Sequence, residues 1–326
     1  MQRRALIKFF LASALLPSAS GIQAQAAYPS KPIRLIVPFP PGGPTDTFAR
    51  QYANRLATIL GQPVIVENKS GASGAIASLD VKNAAADGHT LLFGTASTHG
   101  LYNLMVKQPQ YDSLHDFTHI AIVGGAPAAF AVGPGMPQTL KGLIDMARAN
   151  PGKLQYGSPG EGTFLHLAAE RLKREAGNID IQHIPFRGGA QAMPALLGGQ
   201  VGMTVDTLGS FLPNQKAGKI SIVAVASAKR SIIAPDVPTV DEALGTRGFE
   251  AILWNVVAAP AKLPPGVTDA LAKATHTVMS DPTLQQQLTV LGIGPFTDSS
   301  PAAASAFIRS EIEKWRPVVE ATGLAR

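Results

Sequence analysis

Short apolar, β-branched runs alternate along this chain with longer stretches whose apolar positions recur every three or four residues, and glycine and proline fall between them. That alternation predicts βαβ units and mostly parallel sheets. The first strand is expected over residues 33–39. Beyond Pro40-Pro41-Gly42-Gly43-Pro44-Thr45-Asp46 a helix should run to residue 60, because Phe48, Tyr52, Leu56 and Leu60 recur at a spacing of four. A strand at 64–67, a helix at 74–85 and a strand at 90–94 complete a βαβαβ half.

Apolar runs at 120–123 and 130–132 flank Gly124-Gly125, which marks a first crossing into another lobe. A second α/β unit follows, with helices at 140–149, 163–176 and 190–197 and strands at 154–157, 181–184, 203–206 and 222–226. Residues 254–259 read as a returning strand. After Pro264-Pro265, helices at 267–279, 283–291 and 302–320 should pack back on the first lobe. The expectation is an α/β chain of two lobes, with residues 27–125 and 251–326 in lobe 1 and residues 126–250 in lobe 2. A lobe that the chain leaves and re-enters has two hinge segments, which lets the halves close as a clamp.

The first residues change where this fold is expected to work. Arg3, Arg4 and Lys8 precede an apolar run of about eight residues at 9–16, and Ala24-Gln25-Ala26 is a small-x-small cleavage site. Such a run is far short of the roughly 20 residues that span a bilayer, so a cleaved export signal over 1–26 is expected, and a periplasmic destination with it. The paired arginines also suit twin-arginine export. Removing residues 1–26 takes away three positive charges and no negative ones, so the formal net charge falls from +6 to +3. Basic residues are scattered and not interleaved with aromatics, which argues against nucleic acid, while a mildly positive field favours an anionic ligand. There is no cysteine, the seven histidines show no HExxH motif, and no acidic cluster suits calcium. Neither a metal nor a cofactor is expected.

Chemistry is therefore sought in loops that follow strands, where a glycine-rich turn entering a helix offers unpaired N–H groups and the positive end of the helix dipole. Four loops qualify. In Phe39 to Asp46, Gly42 and Gly43 permit close backbone approach and Thr45 or Asp46 can cap the helix; no Lys-Ser/Thr follows, so a nucleoside triphosphate is disfavoured. The turn Gly71-Ala72-Ser73-Gly74 is expected merely to start a helix. In the Gly94 to His99 segment, Ser97 and Thr98 are uncharged donors, and His99 is expected to be a structural partner. Gly157-Ser158-Pro159-Gly160-Glu161-Gly162-Thr163 makes a backbone nest before a helix carrying Phe164 and His166. Glu161 would repel an acid if it pointed inward, and Phe164 is either core or a ring for a flat ligand to stack on. The fourth joins Phe186-Arg187-Gly188 to Asp206: Arg187 could fork onto a carboxylate or lie solvated, and Asp206 is expected to accept hydrogen bonds or organise its loop.

At these loops the sequence resembles the Bug family of extracytoplasmic receptors that serve tripartite tricarboxylate transporters. The resemblance rests on Tyr28-Pro29-Ser30-Lys31-Pro32, Val37-Pro38-Phe39 with Gly42-Gly43 and Thr45-Asp46, Gly61-Gln62-Pro63, Asp87-Gly88, and Tyr111-Asp112. It continues through Pro151-Gly152-Lys153-Leu154, Tyr156-Gly157-Ser158, His166-Leu167-Ala168, Leu197-Gly198-Gly199-Gln200, Ser227-Ala228-Lys229-Arg230, Pro235-Asp236-Val237-Pro238-Thr239 and Lys314-Trp315. It implies a type II periplasmic-binding-protein fold whose loops grip a carboxylate through backbone amides and water. Carried onto matching positions, it implies ligand contact at Phe39, Gly42, Gly43, Thr45, Asp46, Ser97, Thr98, Ser158, Gly160, Thr163, Phe186, Arg187, Gly188 and Asp206, to which the residue reading adds Phe164. Glu161, Phe164, Phe186 and Tyr102 depart from the usual pattern, and the added aromatics tilt the expected ligand towards a ring-bearing acid.

Three functions compete. The leading one is a non-enzymatic receptor that captures a small mono- or dicarboxylate and passes it to integral-membrane transporter subunits. A second feeds a membrane sensor from the same pocket. A third, an exported enzyme, is disfavoured because no GxSxG elbow, cysteine or metal set is present.

Overall fold

The computed structural model describes residues 28–325, so the proposed export signal lies outside the described residues. The first half is built as the periodicity predicts: β1 (Ile33–Val37), α1 (Pro44–Leu60), β2 (Val64–Asn68), α2 (Ala75–Lys82) and β3 (Thr90–Thr95). Helix α1 buries Phe48, Tyr52 and Leu56 on one face and stops at Gly61, whose φ of 67° is the left-handed conformation that favours glycine. From β3 the chain passes directly into a π-helical turn, Ala96–Leu101, and the short α3 (Tyr102–Met105).

β4 (Phe117–Val132) is one strand of 16 residues where sequence suggested two. Gly124 and Gly125 do not break it. They let β10 come close, since a Cβ on Gly124 would lie 2.8 Å from the Gly294 carbonyl oxygen. Then come α4 (Leu140–Ala149), β5 (Gln155–Ser158), α5 (Phe164–Glu175), β6 (Gln182–Pro185), α6 (Gly189–Leu197), β7 (Met203–Thr207), α7 (Leu208–Lys216), β8 (Ser221–Val225) and α8 (Val240–Leu244). The chain returns through β9 (Ile252–Pro260) and ends in α9 (Pro265–Met279), α10 (Pro282–Val290), β10 (Gly294–Pro295) and α11 (Pro301–Thr322).

Two sheets share β4. Its first part, Phe117 to Pro127, pairs antiparallel with β9 in a sheet ordered β2-β1-β3-β9-β4, and β10 joins on β4. Its last residues, Ala128 to Val132, pair antiparallel with β7 and β8, and β7 leads on through β5 to β6. Among the described strands, β1 pairs parallel with β2 and β3, and β5 with β6 and β7. The mostly parallel sheets expected from sequence are thus mixed, because β4 and β9 run against their neighbours as they carry the chain between lobes. The result is a two-lobed α/β fold.

Helix α11 does not pack on lobe 1 alone. Ile308, Ile312, Trp315 and Val319 join a core that holds Phe164, Leu165 and Leu167 of α5 as well as Leu101, Met105, Trp254 and Val256. The Phe164 and Trp315 rings meet edge to face at 4.7 Å, and the indole N–H groups of Trp254 and Trp315 both donate to Glu311 Oε2, at 3.1 and 3.3 Å. Buried indoles without that acceptor would be left unsatisfied. Trp315→Ala should therefore destabilise the protein by about 3–5 kcal/mol, read from the denaturant midpoint; a loss below about 1 kcal/mol would show that α11 is not part of the core.

Candidate functional site

The first loop is braced from within. Asp46 is 3% exposed, and its Oδ2 accepts from the Gly42 N–H at 2.9 Å and Arg50 Nε at 3.0 Å. Asn68 Nδ2 donates to Asp46 Oδ1 at 2.8 Å and to the Phe39 carbonyl at 2.9 Å. Burial works to raise the Asp46 pKa, but the bonds from Arg50, Gly42 and Asn68 outweigh it and hold the carboxyl below its ordinary range. Asp46 is spent on shaping this turn, and Thr45 faces the cleft in its place.

The second segment divides the same way. Thr98 Oγ1 accepts from the Thr95 N–H at 2.9 Å and lies 3.0 Å from His99 Nδ1, so it closes a capping box beneath the turn. Ser97 reaches across instead: its Oγ accepts from the Phe164 N–H at the start of α5, at 2.9 Å. His99 is fully buried against Phe117 and His119, and desolvation, aided by His119, pushes its pKa well down.

In the third loop the hydroxyls point inward. Ser158 Oγ lies 2.7 Å from His183 Nε2 and accepts from the Gly160 N–H at 3.2 Å, while Thr163 Oγ1 donates to the Gly160 carbonyl at 2.7 Å. His166 and His183 stack at 3.9 Å, and burial chiefly depresses them to about 3 and about 4. A serine with no exposed surface beside so weak a base has neither the access nor the proton affinity of a nucleophile pair. Phe164, which sequence left open between core and stacking ring, packs on Trp315, and the ring of Phe186, one of the aromatics that tilted the expected ligand towards a ring-bearing acid, covers Gly157, where a Cβ would come within 2.9 Å.

The central cavity between the lobes brings together Phe39, Gly43, Thr45, Ser97, Thr163, Gly188 and Asp206. Gly42 lines its continuation towards Thr207, and Gly160, Phe186 and Arg187 line its open mouth. Asp46, Thr98, Ser158 and Phe164 lie behind these walls. Sequence reasoning missed the apolar lining, Pro40, Pro41, Pro44, Pro159, Leu165, Ala190 and Leu253, together with Gly189. Nothing polar marks those positions, although the proline clusters flanking the glycines could have signalled a rigid wall. The turn expected only to start α2 also reaches the mouth, where Ser73 Oγ donates to the Glu161 carbonyl at 2.5 Å.

Three of the helices that start at this cavity share one feature, from which α5, capped by the cavity-lining Thr163, departs. No side chain caps α1 at Gly43, α6 at Gly188 or α7 at Thr207. Thr139, Thr163, Thr239, Asp281 and Ser300 do cap α4, α5, α8, α10 and α11. The uncapped starts leave N–H groups and positive dipole ends turned on one space, which suits an anion without any cationic side chain. Asp206 is 5% exposed in the same space, and burial raises its pKa to about 6 against the opposing bonds from Thr207 and Ser210. Among the described residues no group of three or more His, Cys, Asp or Glu could hold a metal ion.

The bracing of the first loop is testable through pH. Asp46→Asn should cost about 1–3 kcal/mol near neutrality. Because the folded carboxyl is depressed, the deficit is full above the ordinary Asp range and shrinks as pH falls through the folded value. Unfolding curves at several pH values check this; a deficit that grows on acidification contradicts it.

Comparison with known proteins agrees with this geometry. The family model described as the tripartite tricarboxylate transporter family receptor matches residues 48–324. The periplasmic binding protein BugD is 32% identical with a TM-score of 0.86, covering 91% of this chain and 99% of its own. Rpa4515 of R. palustris, solved with adipate, is 32% identical with a TM-score of 0.87 over 91% and 99% of the two chains. MatC from Rhodopseudomonas palustris, with bound malate, is 30% identical with a TM-score of 0.84 over 90% and 100%. The family match runs from the first turns of α1 to the end of α11, and the chain belongs to the tripartite tricarboxylate transporter receptor family, as its resemblance to the Bug proteins implied.

Proposed function

We propose that this protein is a periplasmic receptor that captures a small organic carboxylate between its lobes and delivers it to the membrane subunits of a tripartite tricarboxylate-type transporter. The observation that carries the reading is the meeting of the uncapped starts of α1 and α6, one from each lobe, at one cavity. Relatives solved with adipate and malate support a carboxylate, and a family of binding proteins supports capture without turnover. The strongest candidate for chemistry, Ser158 with His183, is built as a brace and gives the enzyme reading no help. An aromatic acid would stack on Phe39, the ring that remains at the cavity wall.

The mechanism is closure. Lobe 1 is residues 27–125 and 251–326, lobe 2 is residues 126–250, and β4 and β9 are the hinges. Ligand touching both lobes favours the closed form by its differential affinity. The Ser97–Phe164 and Ser73–Glu161 bonds and the approach of Pro40 to Gly188 are contacts that closure makes. Export through residues 1–26, with cleavage near Ala26, places the protein in the periplasm.

Titration of the mature protein with adipate, malate and benzoate should give one-site heat with at least one acid and a smaller radius of gyration in solution scattering. Heat without compaction contradicts the clamp. Thr45 is 5% exposed and makes no side-chain bond that the fold needs. Thr45→Leu should leave the melting temperature in place and weaken binding at least tenfold; undiminished affinity would remove the first loop from the site.

A further inference from the structure

An anion site made of helix starts has no evident use for a buried acid, yet Asp206 stands inside this one. It is the penultimate residue of β7, opposite Ala129 of β4, and lines both the central cavity and its continuation. Its Oδ1 accepts from the Thr207 N–H at 2.6 Å and from Ser210 Oγ at 3.4 Å. Its Oδ2 lies instead against the first residue of α6, so near that a Cβ on Gly189 would sit 1.8 Å away. No residue other than glycine leaves room for the carboxylate there. Neither bond above reaches Oδ2, and that oxygen borders the space where the ligand is expected.

Burying an ionised carboxylate is costly unless its oxygens are satisfied. The groups on Oδ1 are donors, so the site favours an acceptor over a proton donor. Burial nonetheless raises the pKa to about 6, which is the mark of a carboxylate short of partners. A ligand that brought only negative charge would add repulsion to that deficit.

We propose that Asp206 determines specificity: Oδ2 accepts a hydrogen bond from an amine or hydroxyl that the ligand carries beside its carboxylate. This rests on the carboxylate reading above and narrows it to amino and hydroxy acids. The acid group sits at the uncapped helix starts, and the donor group sits on Asp206. Polar sites built around a substrate donor discriminate strongly against analogues that lack it, because the acceptor is then left unpaired.

Calorimetry with matched acids tests this: succinate, malate and aspartate, then benzoate, 3-hydroxybenzoate and 3-aminobenzoate. In the unaltered protein the donor-bearing acids of at least one series should bind ten times or more tighter than their bare counterpart. Asp206→Asn keeps an oxygen for Thr207 and Ser210 but puts an NH2 at the Oδ2 position. It should cost the donor-bearing acids tenfold or more and leave the bare acid equal or tighter. Asp206→Ala, which removes Oδ2 without supplying a donor, should flatten the preference; melting curves identify any variant that does not fold. Binding without preference, a preference unchanged in either folded variant, or tighter binding of the bare acid accompanied by proton uptake overturns the inference and leaves the carboxylate reading standing. Failure of every acid to bind overturns both.

Discussion

A backbone N–H in the first turn of a helix has no partner within that helix, and in a cleft that excludes water it must meet an acceptor or cost about 1–3 kcal/mol. Much of this molecule follows from that constraint. Thr, Asp or Ser side chains cap α4, α5, α8, α10 and α11, whereas α1, α6 and α7 begin at the cavity, at Gly43, Gly188 and Thr207, without a side-chain cap. Glycine and proline at these starts keep the backbone bare and fix its direction. The polar residues nearby are used to hold the loops still: Asp46 and Asn68 lace the first, and Ser158, Thr163 and His183 lace the third. The donors offered to a ligand are therefore pre-positioned, which lowers the ordering cost of binding.

The same economy explains the frame. β4 pairs with β9 in the first sheet and runs on into the second, where it pairs with β7, so that one long strand is shared by both sheets. α11 lies over β4 and against α5, with its tryptophan in a core that includes residues of both lobes. The bonds of Trp254 and Trp315 to Glu311 tie that helix to β9.

Most of the elements were legible in the sequence because strongly periodic stretches such as Phe48-Tyr52-Leu56 admit one period only. The two-lobed class was legible for the same reason, and the family could be read from motifs spread along the chain. What periodicity could not supply was direction. β4 reads as two strands because paired glycines usually punctuate, yet here they admit β10 at close range. α7 escaped notice because β7 enters it with no intervening turn and Pro213 lies inside it. At the candidate site, sequence identified loops that meet at the cavity but could not tell which hydroxyl faces it. Thr45 and Ser97 line the cavity, while Asp46, Thr98 and Ser158, of similar chemistry, turn inward to brace. Phe164 and Phe186 were equally ambiguous until Trp315 and Gly157 were seen to occupy their rings.

The central claim, that bare helix starts from the two lobes hold an acid group between them, is met most directly by a crystal structure of the protein with the small molecule it retains on purification. The account predicts carboxylate oxygens within about 3.2 Å of backbone N–H groups at the starts of both α1 and α6, directly or through one ordered water. A ligand held by side chains of a single lobe, with those N–H groups turned to bulk solvent, would contradict it.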